Sequence, residues 1–320
     1  MGTHGLTRRE LLARAGAILS GLTVGQAAFG AASRPAAVPA AAAGTIKLGG
    51  DLEVNRLGFG AMRITGEGIW GDPPDLDQAR RVLRRAFELG VNFIDTADAY
   101  GPEVSERLIA EALHPYPKGL VIATKGGIVR PSRERWERDG RPEHLRDACE
   151  ASLKRLRVER IDVYQLHAID PKVPLEDSVG ELARLQKEGK IRHIGVSNFD
   201  AGQLERAQAI VKVVSVQNRY NVADRSSEAV LAACERSGIA FIPWSPLSQS
   251  PRDSNAASRD ALARWAAGKG ISLPQAAIAW LLARSPAMLP IPGTSRVAHL
   301  EENVAAAAIP LTAAEMKQIG

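Results

Sequence analysis

An α/β fold, with parallel strands closed into an eight-unit (β/α)8 barrel, is what this 320-residue sequence predicts, on three observations. Short apolar runs alternate with amphipathic helical stretches from Thr45 to the end of the chain. No run of consecutive antiparallel strands interrupts that alternation, and such a pattern favours a parallel sheet over a sandwich. No Gly-x-Gly-x-x-Gly follows any predicted strand, which argues against a doubly wound dinucleotide fold. Leu57-Gly58-Phe59-Gly60 comes nearest, but no helix opens after it.

The elements follow in order. Ile46–Leu48 and Leu52–Val54 flank Gly49-Gly50-Asp51 and read as a hairpin, placed to cap the closed end of the barrel. Strands are predicted at Leu57–Met62, Phe93–Asp95, Val121–Thr124, Ile161–Leu166, His193–Val196, Val213–Gln217, Ala240–Trp244 and Leu289–Ile291. Between them, helices are predicted over Leu76–Leu89, Glu143–Leu156, Leu175–Glu188, Leu204–Val211, Ser227–Ser237 and Gln275–Arg284. Gly90, Gly189 and Gly238 supply helix stops, and Ser272-Leu273-Pro274 is a helix start with proline in the first turn. Together these give a TIM barrel spanning 45–320.

Residues 1–44 stand apart. Thr7-Arg8-Arg9-Glu10-Leu11-Leu12 puts an arginine pair before a weakly apolar run, followed by small residues and prolines to Ala43. This resembles a bacterial twin-arginine signal peptide and linker, which implies an exported protein, periplasmic or extracellular. The run is too rich in Gly and Ala for a membrane span. A cytoplasmic protein with an N-terminal extension is the alternative. Cys149 and Cys234 lie far apart with no metal-ligand spacing and read as buried free thiols.

A formal net charge of +5 is mildly basic. Its densest stretch, Arg130 to Arg141, interleaves Glu134, Glu137 and Asp139, which reads as a solvated mixed-charge loop and not a nucleic-acid groove. The expected partner is a small molecule, and the reading is compatible with a monomer.

In a parallel barrel the chemistry gathers at the C-terminal strand ends. There the sequence puts Asp95 and Tyr100 after the second strand, Lys125 after the third, His167 after the fourth, Ser197 and Asn198 after the fifth, and Gln217 in the sixth. A phenol is a poor acid near neutrality, and an adjacent ammonium lowers its pKa by stabilising phenolate. Asp95 would hold Lys125 charged. Hydride transfer would need a cofactor, since no side chain supplies hydride.

Asp95-x-x-x-x-Tyr100, Thr124-Lys125, Leu166-His167, Gly189 to Phe199 and Ile291-Pro292-Gly293-Thr294-Ser295 resemble the motifs of the aldo-keto reductase superfamily. The resemblance implies reduction of aldehydes and ketones with Tyr100 as general acid, tuned by Lys125 and Asp95, and His167 orienting the substrate. It implies that Ser197, Asn198 and Gln217 hold a nicotinamide carboxamide, with Trp244 stacked on the ring and Ser245 and Leu247 beside it. It further implies that Gly293, Thr294, Ser295 and Arg296 hold a 2′-phosphate, with Glu302 and Asn303 on the adenine. His299 stands where many members carry an arginine that sandwiches the adenine and pairs with the phosphate, which counts against NADPH; with Arg296 taking over that role, NADPH is still expected ahead of NADH. Trp70 either lines the pocket mouth or packs beneath its loop. The Leu57–Met62 start and the Ser295–Leu300 run look most like a bacterial branch that includes pyridoxal reductases. Two other readings are a cofactor-binding sensor with little turnover and an isomerase or lyase using Lys125 as a Schiff-base amine. The Asp95 partner, which keeps the amine protonated, disfavours the isomerase or lyase.

Overall fold

The computed structural model describes Met1, residues 39–247 and residues 255–320; the twin-arginine motif and the apolar run after it lie outside the described residues. Alternating burial makes the first pair of strands. β1 (Thr45–Leu48) and β2 (Leu52–Asn55) pair antiparallel, with Leu48 opposite Leu52 across the predicted glycine turn. Leu48, Leu52 and Val54 turn inward and pack on Phe93, Val121, Val163, Val214 and Ile242, so the hairpin closes the barrel floor. Asp51 fastens the turn through Arg192 at 2.7 Å and His193 at 2.6 Å.

The barrel strands are β3 (Phe59–Gly60), β4 (Phe93–Asp95), β5 (Val121–Gly126), β8 (Ile161–Leu166), β9 (Ile191–Ser197), β10 (Val213–Arg219) and β11 (Ala240–Trp244). They form one parallel sheet in that order. The eighth member is the segment around Leu289. On one side Phe241 N–H donates to Ala287 O at 2.8 Å and Leu289 N–H to Phe241 O at 2.9 Å; on the other Gly58 N–H donates to Pro290 O at 2.9 Å. The segment therefore closes the barrel without a full ladder, because Pro290 and Pro292 have no N–H to donate.

Two predicted elements need correction. Leu57–Met62 is not one strand: only Phe59–Gly60 pairs, and Ala61–Ile64 coil into a 3-10 turn. The backbones crowd there, since a Cβ on Gly60 would stand 2.7 Å from Ile291 O and one on Gly293 closer still to Gly60 O. The Gly58–Gly60 pair thus serves barrel closure. The helix predicted at Leu204–Val211 starts earlier, as Ala201–Gln208, where Asp200 and Gln203 form a reciprocal capping box.

The other predicted helices stand within about two residues of their expected ends. They are α1 (Leu76–Glu88), α3 (Pro142–Leu156), α4 (Leu175–Lys187), α6 (Glu228–Ser237) and α8 (Leu273–Arg284). The sequence reading lacked α2 (Val104–Leu113), α7 (Ala256–Lys269), α9 (Val297–Ala305) and α10 (Ala313–Ile319). It also lacked a small hairpin of β6 (Ile128–Val129) and β7 (Glu137–Arg138). The core between sheet and helices runs from Leu57 and Val82 through Leu145, Val179, Leu204 and Leu231 to Trp280. Before the hairpin, Ala40–Ala43 form a 3-10 turn, with Ala40 fully buried and its N–H bonded to Leu89 O at 2.8 Å. Among the described residues no helix is long and apolar enough to cross a membrane.

Candidate active site

Parallel pairing brings all the strand tips to one face, and the inward side chains at those tips meet on a single carboxylate. Asp95 ends β4; its Oδ1 accepts from Lys125 Nζ at 2.6 Å. Its Oδ2 accepts from Gln165 Nε2 at 3.0 Å and Gln217 Nε2 at 2.8 Å. Donors from β5, β8 and β10 thus hold one buried anion. Lys125 is wholly buried, and all three of its ammonium hydrogens have acceptors: Asp95, Thr96 O at 2.7 Å and the Tyr100 hydroxyl at 3.3 Å.

Tyr100 stands on the turn after β4, tied down by Ser105 N–H donating to its carbonyl at 3.1 Å. His167 follows β8 directly and meets the Tyr100 ring edge-on, with centroids 5.8 Å apart. The predicted four residues are therefore one cluster. Gln165 is an additional member that sequence reasoning missed; its signal was an uncharged polar residue inside the apolar run Ile161–Leu166.

The electrostatics correct one expectation. Burial pushes the Tyr100 phenol above its usual range, and Lys125 offsets only part of that rise. The phenol is thus held protonated, where the sequence reading expected a lowered pKa. For Lys125, burial disfavours the charge, but Asp95 and Tyr100 together outweigh it and the ammonium is raised. Burial, helped by Lys125, pushes His167 well below its ordinary value, so the imidazole is neutral. Its Nδ1 is buried without a hydrogen-bond partner among the described residues.

A cavity of about 1160 Å³ runs from this cluster across the barrel mouth. Asp95, Tyr100 and His167 line it, as do Ser197, Asn198, Gln217, Trp244, Ser245 and Leu247. Gly293, Thr294, Ser295, Arg296, His299, Glu302 and Asn303 line it as well. Asn198 is locked in a left-handed conformation at φ 60°, donating to His167 O at 3.1 Å and accepting from Trp244 Nε1 at 3.0 Å. Its side chain thereby joins the His167 backbone to the Trp244 ring. Gln217 uses its Nε2 on Asp95, leaving Oε1 as its free acceptor.

Trp70 is not among the lining residues; it sits behind Arg130, whose guanidinium lies 5.4 Å from its ring. Trp136 lines the cavity instead, and so does Arg63, an exposed guanidinium with no ion pair among the described residues. Neither was found from sequence. Arg130 also corrects the solvated-loop reading, because it is only 8% exposed.

Such an arrangement defines a barrel enzyme with a buried ammonium-carboxylate pair presenting one phenol to a long cleft. Residues 56–320 match the Aldo/keto reductase family, and the chain belongs to it. An uncharacterized oxidoreductase of Schizosaccharomyces pombe is 52% identical over 276 residues, 86% of this chain and 89% of that one. Pyridoxine 4-dehydrogenase of Escherichia coli is 43% identical, over 80% of this chain and 91% of that protein. The crystal structure of an aldo-keto reductase from Klebsiella pneumoniae in complex with NADPH superposes with a TM-score of 0.73 at 28% identity, covering 86% of this chain and 93% of that one. The protein is an NAD(P)-dependent oxidoreductase.

Proposed function

We propose that the enzyme reduces aldehydes and ketones to alcohols with NADPH, Tyr100 acting as general acid. The observation carrying this reading is that Lys125 Nζ bonds Asp95 and Tyr100 at once, with Asp95 and Tyr100 in the wall of one cavity. Bound nicotinamide supplies the hydride. The Tyr100 hydroxyl donates its proton to the carbonyl oxygen as that oxygen gains charge. The phenolate left behind is then stabilised by Lys125, whose charge Asp95 maintains. Neutral His167 hydrogen-bonds the carbonyl and fixes its orientation.

The residues present fit the cofactor. Gln217 offers a free amide oxygen to a carboxamide, and Trp244 offers a ring braced by Asn198. α9 begins at Val297 behind an N-cap, Arg296, that makes no side-chain cap, so the N–H groups of its first turn are available to an anion. Arg63 and Arg296, both exposed and without ion pairs among the described residues, add charge. Thr294, Ser295 and Arg296 suit a 2′-phosphate, His299 standing one turn further on, with Glu302 and Asn303 toward the adenine. Protein fluorescence titrations should give an NADPH dissociation constant at least tenfold below that for NADH, and Arg296→Met should erase most of the difference. Equal affinities for the two in the native enzyme would remove the 2′-phosphate assignment.

Export of a folded barrel spanning 45–320 by the twin-arginine leader is part of the same proposal, supported by Arg8-Arg9 and the Ala-rich stretch to Ala43. Because Ala40 packs against the barrel, cleavage upstream of it preserves that contact. Residues 1–44 fused to a reporter should leave the cytoplasm, and Arg8→Lys with Arg9→Lys should stop it; a reporter retained in both forms contradicts export.

A further inference from the structure

The loop joining β6 and β7 brings one large apolar side chain to the cavity that Tyr100 and His167 also line. Trp136 is 40% exposed, more than any other tryptophan, tyrosine or phenylalanine among the described residues, and it lines the cavity together with Ile69 and Ile128. Its position is not that of a loosely placed surface ring. The Arg130 guanidinium lies 3.7 Å from the centroid of the Trp136 ring, a stacking distance.

Arg130 is itself pinned. It donates to Ile69 O at 3.0 Å, to Gly68 O at 3.4 Å, to Arg133 O at 2.6 Å and to Ala99 O at 3.4 Å. Those carbonyls belong to the loop after β3, to the hairpin itself and to the residue preceding Tyr100. One buried cation therefore fixes the Trp136 ring and the turn carrying the phenol in a common frame. With one face covered by Arg130, the ring has its other face for a ligand. A flat, rigid surface of this kind favours a planar partner, because an aromatic pair gains face or edge contacts that a puckered aliphatic ring of equal volume cannot make.

We propose that Trp136, braced by Arg130, is a specificity-determining residue that selects carbonyl substrates carrying an aromatic or heteroaromatic ring. The proposal rests on the carbonyl reductase reading above. It makes ring planarity, and not bulk apolar volume, the property selected.

The test compares benzaldehyde with cyclohexanecarbaldehyde, which match in size and differ in planarity, using the full-length enzyme and NADPH. Trp136→Leu should lower kcat/KM for benzaldehyde about tenfold, chiefly through KM, and change the cyclohexane aldehyde less than threefold. Trp136→Phe, which keeps a planar ring, should restore most of the benzaldehyde efficiency and guard against a misfolded hairpin. Equal losses for both aldehydes in Trp136→Leu, or no loss for either, would overturn the proposal. A native enzyme that reduces neither aldehyde would contradict the carbonyl reductase reading itself, and the proposal with it.

Discussion

Tyr100→Phe is expected to lower kcat for NADPH-dependent aldehyde reduction by about a hundred- to ten-thousand-fold, the usual worth of a positioned general acid. The substitution removes one oxygen. It keeps the ring that meets His167 edge-on and leaves Lys125 its bonds to Asp95 and Thr96. Folding and NADPH affinity should therefore be near native, and the loss should fall on the chemical step. Steady-state kinetics beside a fluorescence titration check this; near-native turnover would show that another group delivers the proton.

The second large effect belongs to Lys125. Lys125→Met removes the charge that stabilises phenolate, so turnover should fall at least a hundredfold. It also leaves the Asp95 carboxylate buried at 2% exposure with only Gln165 and Gln217 as partners. Removing one partner of a buried pair costs about 3–5 kcal/mol. Denaturant unfolding should therefore show a large destabilisation, and adding Asp95→Asn should recover much of it without recovering activity. A Lys125→Met variant as stable as the native enzyme would mean that the pair is not the buried, mutually dependent unit described here.

These residues were legible in the sequence because a parallel barrel puts strand ends on one face, and polar groups after apolar runs mark those ends. Asp95, Lys125 and His167 each close such a run. The closure of the barrel was harder to read. Two prolines interrupt the ladder near Leu289, and the tight approach of Gly60 to Gly293 depends on a partner more than two hundred residues away in the chain.

α2 escaped because two of its inward residues are polar. Ser105 bonds Thr96 at 2.7 Å, and wholly buried Glu106 pairs with Arg155 at 2.6 Å, so the helix lacks a clean apolar stripe. α7 consists largely of alanine and small residues and carries little periodic signal. The stretch from Arg130 to Arg141 shows the limit of charge counting. Its formal charges suggest solvent, whereas Arg130 is buried against Trp136 and its two terminal nitrogens donate to four carbonyls, a pairing that only the third dimension reveals. The raised Tyr100 phenol has the same origin: a neighbouring lysine is visible in sequence, but the depth of burial that outweighs it is not.

The central claim is that carbonyl reduction at this site takes its proton from Tyr100. Mixing enzyme with one equivalent of NADPH and excess benzaldehyde, and following cofactor fluorescence through a single turnover, tests it most directly. The account predicts rapid loss of NADPH with stoichiometric benzyl alcohol in the native enzyme, and NADPH that binds but stays reduced in Tyr100→Phe. Equal oxidation rates in the two proteins, or bound NADPH that stays reduced in the native enzyme, would contradict it.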